Sequence, residues 1–457
     1  MRTNHAILIV AAIAVAGLHT TVARTAEENW PQFLGAGSHA VSANANLPDH
    51  WSASENVAWK QEIPGRGWSS PVVWGDRVFL TTVVEEGKKS ERPQTGFFMA
   101  PPADVNAKDQ WKVLCLDLNS GKPLWERTVH EGTPPGPTHA KNSYASETPT
   151  TDGERVYAYF GNVGVFCLDI NGKPVWQQTI EPHRMRFGWG TASSPILHGD
   201  RLYIVNDNEE QSYLLALNKL TGEKVWRVDR DEKSNWSTPF VWKNEKRTEI
   251  VTPGSGKTRS YDLDGKLLWW FKGMSHITVA TPYADGGFVY VTSGFTRDKE
   301  RPIYAIRPGG ADDISVAADK SSNSAIAWSK PVGAPYIPTT LVYQGRLYVL
   351  YDNGTMSAFN SQTGAPLFQQ KKIPNGKHFT SSPWANNGRV FCVDEDGVTF
   401  VVGGGDKFEV LGKNPLSDDD GCLATPAMAG DRLLIRTVSR IYCIRKSASE
   451  EAKPAGG

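Results

Sequence analysis

Cys115-Leu116-Asp117-Leu118-Asn119-Ser120-Gly121-Lys122-Pro123-Leu124-Trp125 reads as a strand, a tight turn and the start of a second strand that carries a tryptophan. The phrase returns from Cys167 through Gly172 to Trp176, from Ala216 through Gly222 to Trp226, and from Ser260 through Gly265 to Trp269. Ala305 leads to Trp328 across an insertion, and Ala358 leads through Gly364 to Phe368. Each phrase opens on a small residue, and its glycine sits where a short hairpin needs positive φ. The aromatic is expected on an outer strand, covering the small residue of an inner one. Trp125, Trp176, Trp226, Trp269, Trp328 and Phe368 are therefore expected to be structural docking residues. Cys115, Cys167 and Cys443 fall where other copies have Ala or Ser, and are expected to be free and buried. Cys392 is expected to be the same, while a disulfide through Cys392 or Cys422 stays open.

A second phrase completes the unit. Ser69-Ser70-Pro71, Glu147-Thr148-Pro149, Ser193-Ser194-Pro195, Ser237-Thr238-Pro239 and Ala280-Thr281-Pro282 each precede an apolar strand. Pro338-Thr339-Thr340, Ser381-Ser382-Pro383 and Ala424-Thr425-Pro426 continue the series. Pro149, Pro195, Pro239 and Pro282 follow at intervals of 46, 44 and 43 residues. A period of that length with four short strands per unit is the signature of a propeller blade. The fold expected is all-β: an eight-bladed β-propeller of four-stranded antiparallel blades. The last unit ends at Ile441-Tyr442-Cys443-Ile444 with no aromatic strand, while Asn56-Val57-Ala58-Trp59-Lys60 is a spare one. Trp59 is expected to finish the eighth blade, so the ring is closed by an N-terminal strand and hides its edges. The chain then divides into residues 1–23, a signal peptide; 24–55, a lead-in; 56–446, the propeller; and 447–457, a disordered tail.

The 457 residues carry 49 Lys plus Arg against 49 Asp plus Glu, a net charge of zero. That balance argues against an electrostatic nucleic-acid binder, and no nucleic-acid partner is expected. With 39% hydrophobic residues the chain can build a core, and its 43 Gly and 29 Pro make it turn-rich. The opening Met1-Arg2-Thr3-Asn4-His5, the apolar run from Ala6 to Leu18 and the exit Thr21-Val22-Ala23 read as a secretory signal. The run is short for a membrane span, and no Cys follows it to carry a lipid anchor. A periplasmic or secreted monomer is expected, with no membrane span. No Cys-x-x-Cys occurs among the five cysteines, so neither a metal cluster nor a redox pair is indicated.

Gly-Lys-x-x-Trp after a small residue and a Leu-Asp pair resembles the pyrrolo-quinoline quinone (PQQ) repeat, also called the tryptophan docking motif. Trp30-Pro31-Gln32-Phe33-Leu34-Gly35 is similar to the lead-in of exported bacterial proteins with such repeats. The resemblance covers residues 29 to 445. None of the 16 tryptophans is followed by Asp, which argues against WD40 repeats. Two branches are implied: PQQ- and calcium-dependent quinoprotein dehydrogenases, and non-enzymatic scaffolds of outer-membrane β-barrel assembly. Fold alone does not choose between them. The resemblance implies for a dehydrogenase adjacent cysteines, a catalytic Asp and a Glu/Asn/Asp set on calcium. This chain has no adjacent cysteines. Asp418-Asp419-Asp420 and Glu147 could serve an ion, but a solvated loop and a turn carboxylate account for them.

The function expected is that of an exported, non-catalytic binding or scaffold module for a protein or polymer partner. It carries no catalytic residue, no metal and no cofactor, and PQQ with calcium enters only under the dehydrogenase alternative. A carbohydrate- or polymer-binding module is the second alternative. The loops leading into the innermost strands place Arg66, Trp68, His139, Lys141, Asn142, Tyr144, Arg186, Trp189, Trp236, His276, Tyr336 and His378 at one mouth of the channel. Arg66, Trp68, Tyr144, Arg186, Trp189, Trp236, His276, Tyr336 and His378 are the candidate ligand-binding set. Mutual plugging of the channel is the bland alternative. An insertion at 84–111, with Phe97-Phe98-Met99, is expected on the same face. A second, 308–324, is expected to be a solvated excursion on the opposite face.

Overall fold

The computed structural model of the chain describes residues 29–87, 107–416 and 420–447. Eight antiparallel sheets succeed one another, each ordered from an innermost to an outermost strand. In the third blade the strands are Ile196–His198, Arg201–Asn206, Tyr213–Asn218 and Lys224–Asp229. The two middle strands are buried almost throughout, whereas the outer strand is exposed and half-buried in alternation. Blades pack face to face, so a middle strand has no solvent side and reads as an apolar run. The signal segment 1–23, Phe97-Phe98-Met99, Asp418-Asp419 and nearly all of the tail lie outside the described residues.

The ring closes as a propeller. Val57–Glu62 joins Arg440–Ile444, Arg432–Arg436 and Ala427–Ala429 in one sheet, with Trp59 opposite Cys443. The innermost strands of the first and eighth blades touch. Arg436, 1% exposed, crosses that seam and donates from Nη1 to the Ser69 carbonyl (3.1 Å), Ser69 Oγ (2.6 Å) and the Thr81 carbonyl (2.9 Å).

Aromatics of the outer strands bind most blades to the next, the seventh, whose outer strand Val410–Pro415 has no aromatic, being an exception. Trp176 lies opposite Cys167 in its own sheet. Its ring covers Gly222 of the following blade, and its Nε1 donates to the Lys219 carbonyl at 3.0 Å. Gly222 has φ +75, and a β-carbon there would come within 2.5 Å of the ring, so only glycine fits. Trp59, Trp125, Trp226 and Trp328 make the same pair of contacts. Phe368 has no N–H and packs on Phe408 instead, with ring centroids 5.5 Å apart. Trp269 also departs. Its Nε1 donates to Glu249 Oε2 of its own sheet at 2.7 Å.

That departure has a cause in the second insertion. Rather than a purely solvated excursion, it lays Asp312–Asp313 parallel to Leu267–Lys272 as a fifth strand of the fourth blade. Gly310 then takes the place over Trp269. Asp312 and Asp313 are exposed, but Ile314 is 5% exposed in the core around Trp269.

The lead-in crosses the face opposite the mouth. Trp30 bridges Val73 of the first blade, and the Pro31 carbonyl accepts from Thr151 of the second at 2.9 Å. His39 Nε2 bonds to the Val342 carbonyl of the sixth blade at 2.6 Å and its ring stacks on Tyr283 of the fifth. Val41 bridges Ala385 of the seventh. Second and sixth blades stand across the axis from each other, so residues 31–39 span the channel. All five cysteines are free and buried, and burial pushes the Cys115 thiol up to about 12.

Candidate functional site

Every blade begins with a residue pair ahead of its inner strand, and the second member of each pair faces the channel. Ser70, Thr148, Ser194, Thr238, Thr281, Thr339, Ser382 and Thr425 all line one cavity at the mouth. They also connect the blades. The backbone N–H of Ser70 donates to Thr148 Oγ1 (2.9 Å), that of Thr148 to Ser194 Oγ (2.9 Å), and that of Ser194 to Thr238 Oγ1 (3.0 Å). Thr281 to Thr339, Thr339 to Ser382 and Ser382 to Thr425 repeat the contact at 3.0 Å. The hydroxyl thus satisfies a buried backbone donor of its neighbour. The sequence shows the repeated Ser/Thr before Pro, but not that it forms this throat.

The cavity has a volume of about 220 Å³. Above the hydroxyls its walls are Trp68, Trp189, Trp236, Tyr336, Ile277 and Leu423. His139, Lys141 and Asn142 stand at its edge, and Phe33 of the lead-in closes it from the far end. Part of the wall packs on itself: Met185, Trp236, Ile277, Phe295 and Tyr336 form one cluster, and Trp68, Leu423 and Val438 another. Plugging is therefore partial. Trp236 Nε1 is held by the Gly190 carbonyl at 2.7 Å, and its ring lies 5.9 Å from that of Trp189. Phe187 extends this aromatic series outward. It lies 5.1 Å from Trp189, is 72% exposed, and has φ +56. A bulky residue held in that conformation is strained.

The loop before the second blade leans across the mouth. Lys141 reaches Glu395 of the seventh blade, whose Oε1 also accepts from Thr380 Oγ1 at 2.7 Å. Nearby, burial raises the Asp352 carboxyl against the pull of Lys141 and His378.

Of the nine candidate residues, Trp68, Trp189, Trp236 and Tyr336 line the cavity. The other five lie outside its lining, each for a definable reason. Arg66 is turned to the Ala140 carbonyl and lies over the Trp68 ring. The Tyr144 hydroxyl donates to the Gly136 carbonyl at 2.8 Å. Arg186 is paired with Glu209 at 3.2 Å and bonds the His276 carbonyl at 2.9 Å. His276 is an outer group, its side chain 80% exposed beside Asp298. His378 meets the seventh blade through its carbonyl, which accepts from Glu395 N–H at 2.8 Å. Glu147 also misses the lining. It is 1% exposed, and Oε1 accepts from Gly161 N–H at 3.2 Å.

A calcium-bound quinone would need convergent oxygen ligands, carboxylates above all. Among the described residues, no Asp or Glu lines this cavity. Among the described residues no group of three or more His, Cys, Asp or Glu could hold a metal ion. Asp420 is engaged by Thr437 Oγ1 at 2.6 Å and Ser439 Oγ at 2.8 Å. The volume is also below the ~300–1,000 Å³ of most cofactor pockets. The residues present do not fit PQQ with calcium.

A family model described as outer membrane protein assembly factor BamB matches residues 40–210, 110–271 and 210–331. The chain is 23% identical over 332 residues to the outer membrane protein assembly factor BamB of Yersinia pestis, covering 72% of this chain and 78% of that protein. A Burkholderia pseudomallei protein of the same name is 24% identical over 268 residues, covering 50% of this chain and 66% of its own length. Among solved structures, BamB from Moraxella catarrhalis superposes with a TM-score of 0.56 at 11% identity, covering 84% of this chain and 98% of that one. The quinohemoprotein alcohol dehydrogenase from Comamonas testosteroni gives 0.55 at 13% identity, covering 95% and 82%. Such distant likenesses show the fold, which both branches share. Among the described residues no helix is long and apolar enough to cross a membrane.

Proposed function

Because the chain belongs to the BamB family of PQQ-like propellers, we propose that it is a non-catalytic binding module of the cell envelope, serving a protein partner in outer-membrane protein assembly. The observation that carries this reading is the mouth cavity. It has room for one large side chain, it is walled by Trp68, Trp189, Trp236 and Tyr336, and no carboxylate among the described residues lines it. A pocket of that kind suits a single apolar or aromatic group of an extended polypeptide, buried while the rest of the segment runs across the outer surface. Phe187, exposed beside Trp189, meets the segment first. The hydroxyl throat and Lys141 supply donors to peptide carbonyls.

Fluorescence anisotropy with a labelled, urea-unfolded outer-membrane porin diluted onto the full chain tests this reading. Binding is expected, and Trp189→Ala should weaken it by about tenfold or more, as removal of a central tryptophan does at other interfaces. The same variant should melt close to the parent, because Trp189 is only half-buried. Porin binding indifferent to Trp189→Ala would remove the mouth from the interface.

A further inference from the structure

The fourth blade is the one sheet with a fifth strand among the described residues. Asp312–Asp313 runs parallel to Leu267–Lys272, with Trp269 beside Asp312 and Trp270 beside Asp313. The Trp270 carbonyl accepts from Ile314 N–H at 2.9 Å, and Lys272 N–H donates to Ser315 Oγ at 3.1 Å. These are the outward-facing backbone groups that an edge strand leaves open. The chain thus shows on itself how such an edge is filled, and with what: an extended, acidic segment ending in an isoleucine.

Among the described residues the third blade presents the same edge without the cover. Its outer strand Lys224–Asp229 is the last of its sheet. Trp226 lies opposite Ala216 just as Trp269 lies opposite Ser260, and both ladders shift register one residue later. Arg227 and Asp229 therefore occupy the places of Trp270 and Lys272. Val225, in the place of Leu268, is 44% exposed, and Leu220 in the adjoining turn is 48% exposed, whereas Leu268 packs into the core around Trp269 and Ile314. The charge also matches. In the register of the fourth blade an acid like Asp313 falls beside Arg227, whose guanidinium lies over Tyr213 and is shared with Asp229 at 2.8 Å.

We propose that the outer edge Lys224–Asp229 of the third blade is a docking edge that takes an extended acidic segment of a partner protein as a parallel fifth strand. Backbone bonds to the Arg227 carbonyl and Asp229 N–H hold the segment, Arg227 selects its acid, and an apolar residue covers the rim around Val225. This surface is separate from the mouth and does not rest on what the mouth binds.

The test uses the full chain and a labelled peptide of its own residues 308–318 as the probe. Saturable anisotropy is expected, with new hydrogen-exchange protection at Arg227–Asp229. Arg227→Glu should weaken binding by about tenfold, and a peptide with Asp312 and Asp313 replaced by Lys should restore it on that variant. The charge-swap pair keeps the test independent of any general damage from Arg227→Glu. No binding up to about 1 mM (an affinity no stronger than about 4 kcal/mol), protection elsewhere than Arg227–Asp229, or failure of the swap would each overturn the proposal.

Discussion

Trp269→Ala is expected to lower the unfolding free energy by about 4–5 kcal/mol, against about 2–3 kcal/mol for Trp176→Ala, in urea melts followed by far-ultraviolet circular dichroism. The difference follows from what each ring leaves behind. Trp176 is half-buried, and its loss uncovers Gly222 and one carbonyl at the surface of a blade. Trp269 is 0% exposed, and its Nε1 satisfies Glu249, itself 0% exposed. Ser260 Oγ at 2.5 Å and Asn244 Nδ2 at 2.8 Å also serve that carboxylate. Alanine at 269 leaves a cavity and a buried carboxylate short of one donor, and the second effect adds about 1–3 kcal/mol to the first. Equal costs for the two variants would mean that the Glu249 contact contributes nothing. Costs near zero would mean that the rings do not dock.

Glu147→Gln is expected to stabilise the protein by about 3 kcal/mol at pH 8 and to change little at pH 4. Burial pushes the Glu147 carboxyl up to about 7 from an ordinary value of 4.5, opposed by bonds from Thr191 and the Gly161 N–H. The folded state thus holds its proton where the unfolded state has lost it. Below pH 4.5 both states are protonated and no penalty exists. Between 4.5 and about 7 stability falls as pH rises, and above that the loss is complete. Each pKa unit corresponds to about 1.4 kcal/mol, so the rise amounts to about 3 kcal/mol. Glutamine keeps the shape without the charge and should flatten this slope. Melts at several pH values check it: a variant whose stability parallels the parent across pH 4 to 8 would show that Glu147 titrates normally.

How far the sequence can be read depends on which atoms a feature uses. The eight blades and the closing role of Trp59 are legible because they depend on spacing, glycine and side-chain size, all of which recur. The Ser/Thr ahead of the inner strand is equally regular, yet its partner is a backbone N–H of the preceding blade, which no residue name discloses. Arg66, Tyr144 and Arg186 illustrate a different limit. Loop position places them near the mouth, but each is turned aside by a carbonyl or carboxylate, on a neighbouring loop for Arg66 and Arg186 and on its own loop for Tyr144. Asp312-Asp313 reads as solvated because its acids are exposed, while the backbone between them completes a sheet. The course of residues 30–41 depends on contacts with five different blades and has no local signature.

Binding rather than catalysis is the claim on which the functional reading stands. Its most direct test is a titration of the full chain with PQQ and calcium, following tryptophan quenching and the reduction of an artificial electron-acceptor dye by primary alcohols. No stoichiometric quenching and no calcium-dependent turnover is the expected result, because no Asp or Glu among the described residues lines the mouth cavity and its volume lies below that of most cofactor pockets. Tight, stoichiometric PQQ binding with dye reduction that requires calcium would contradict it.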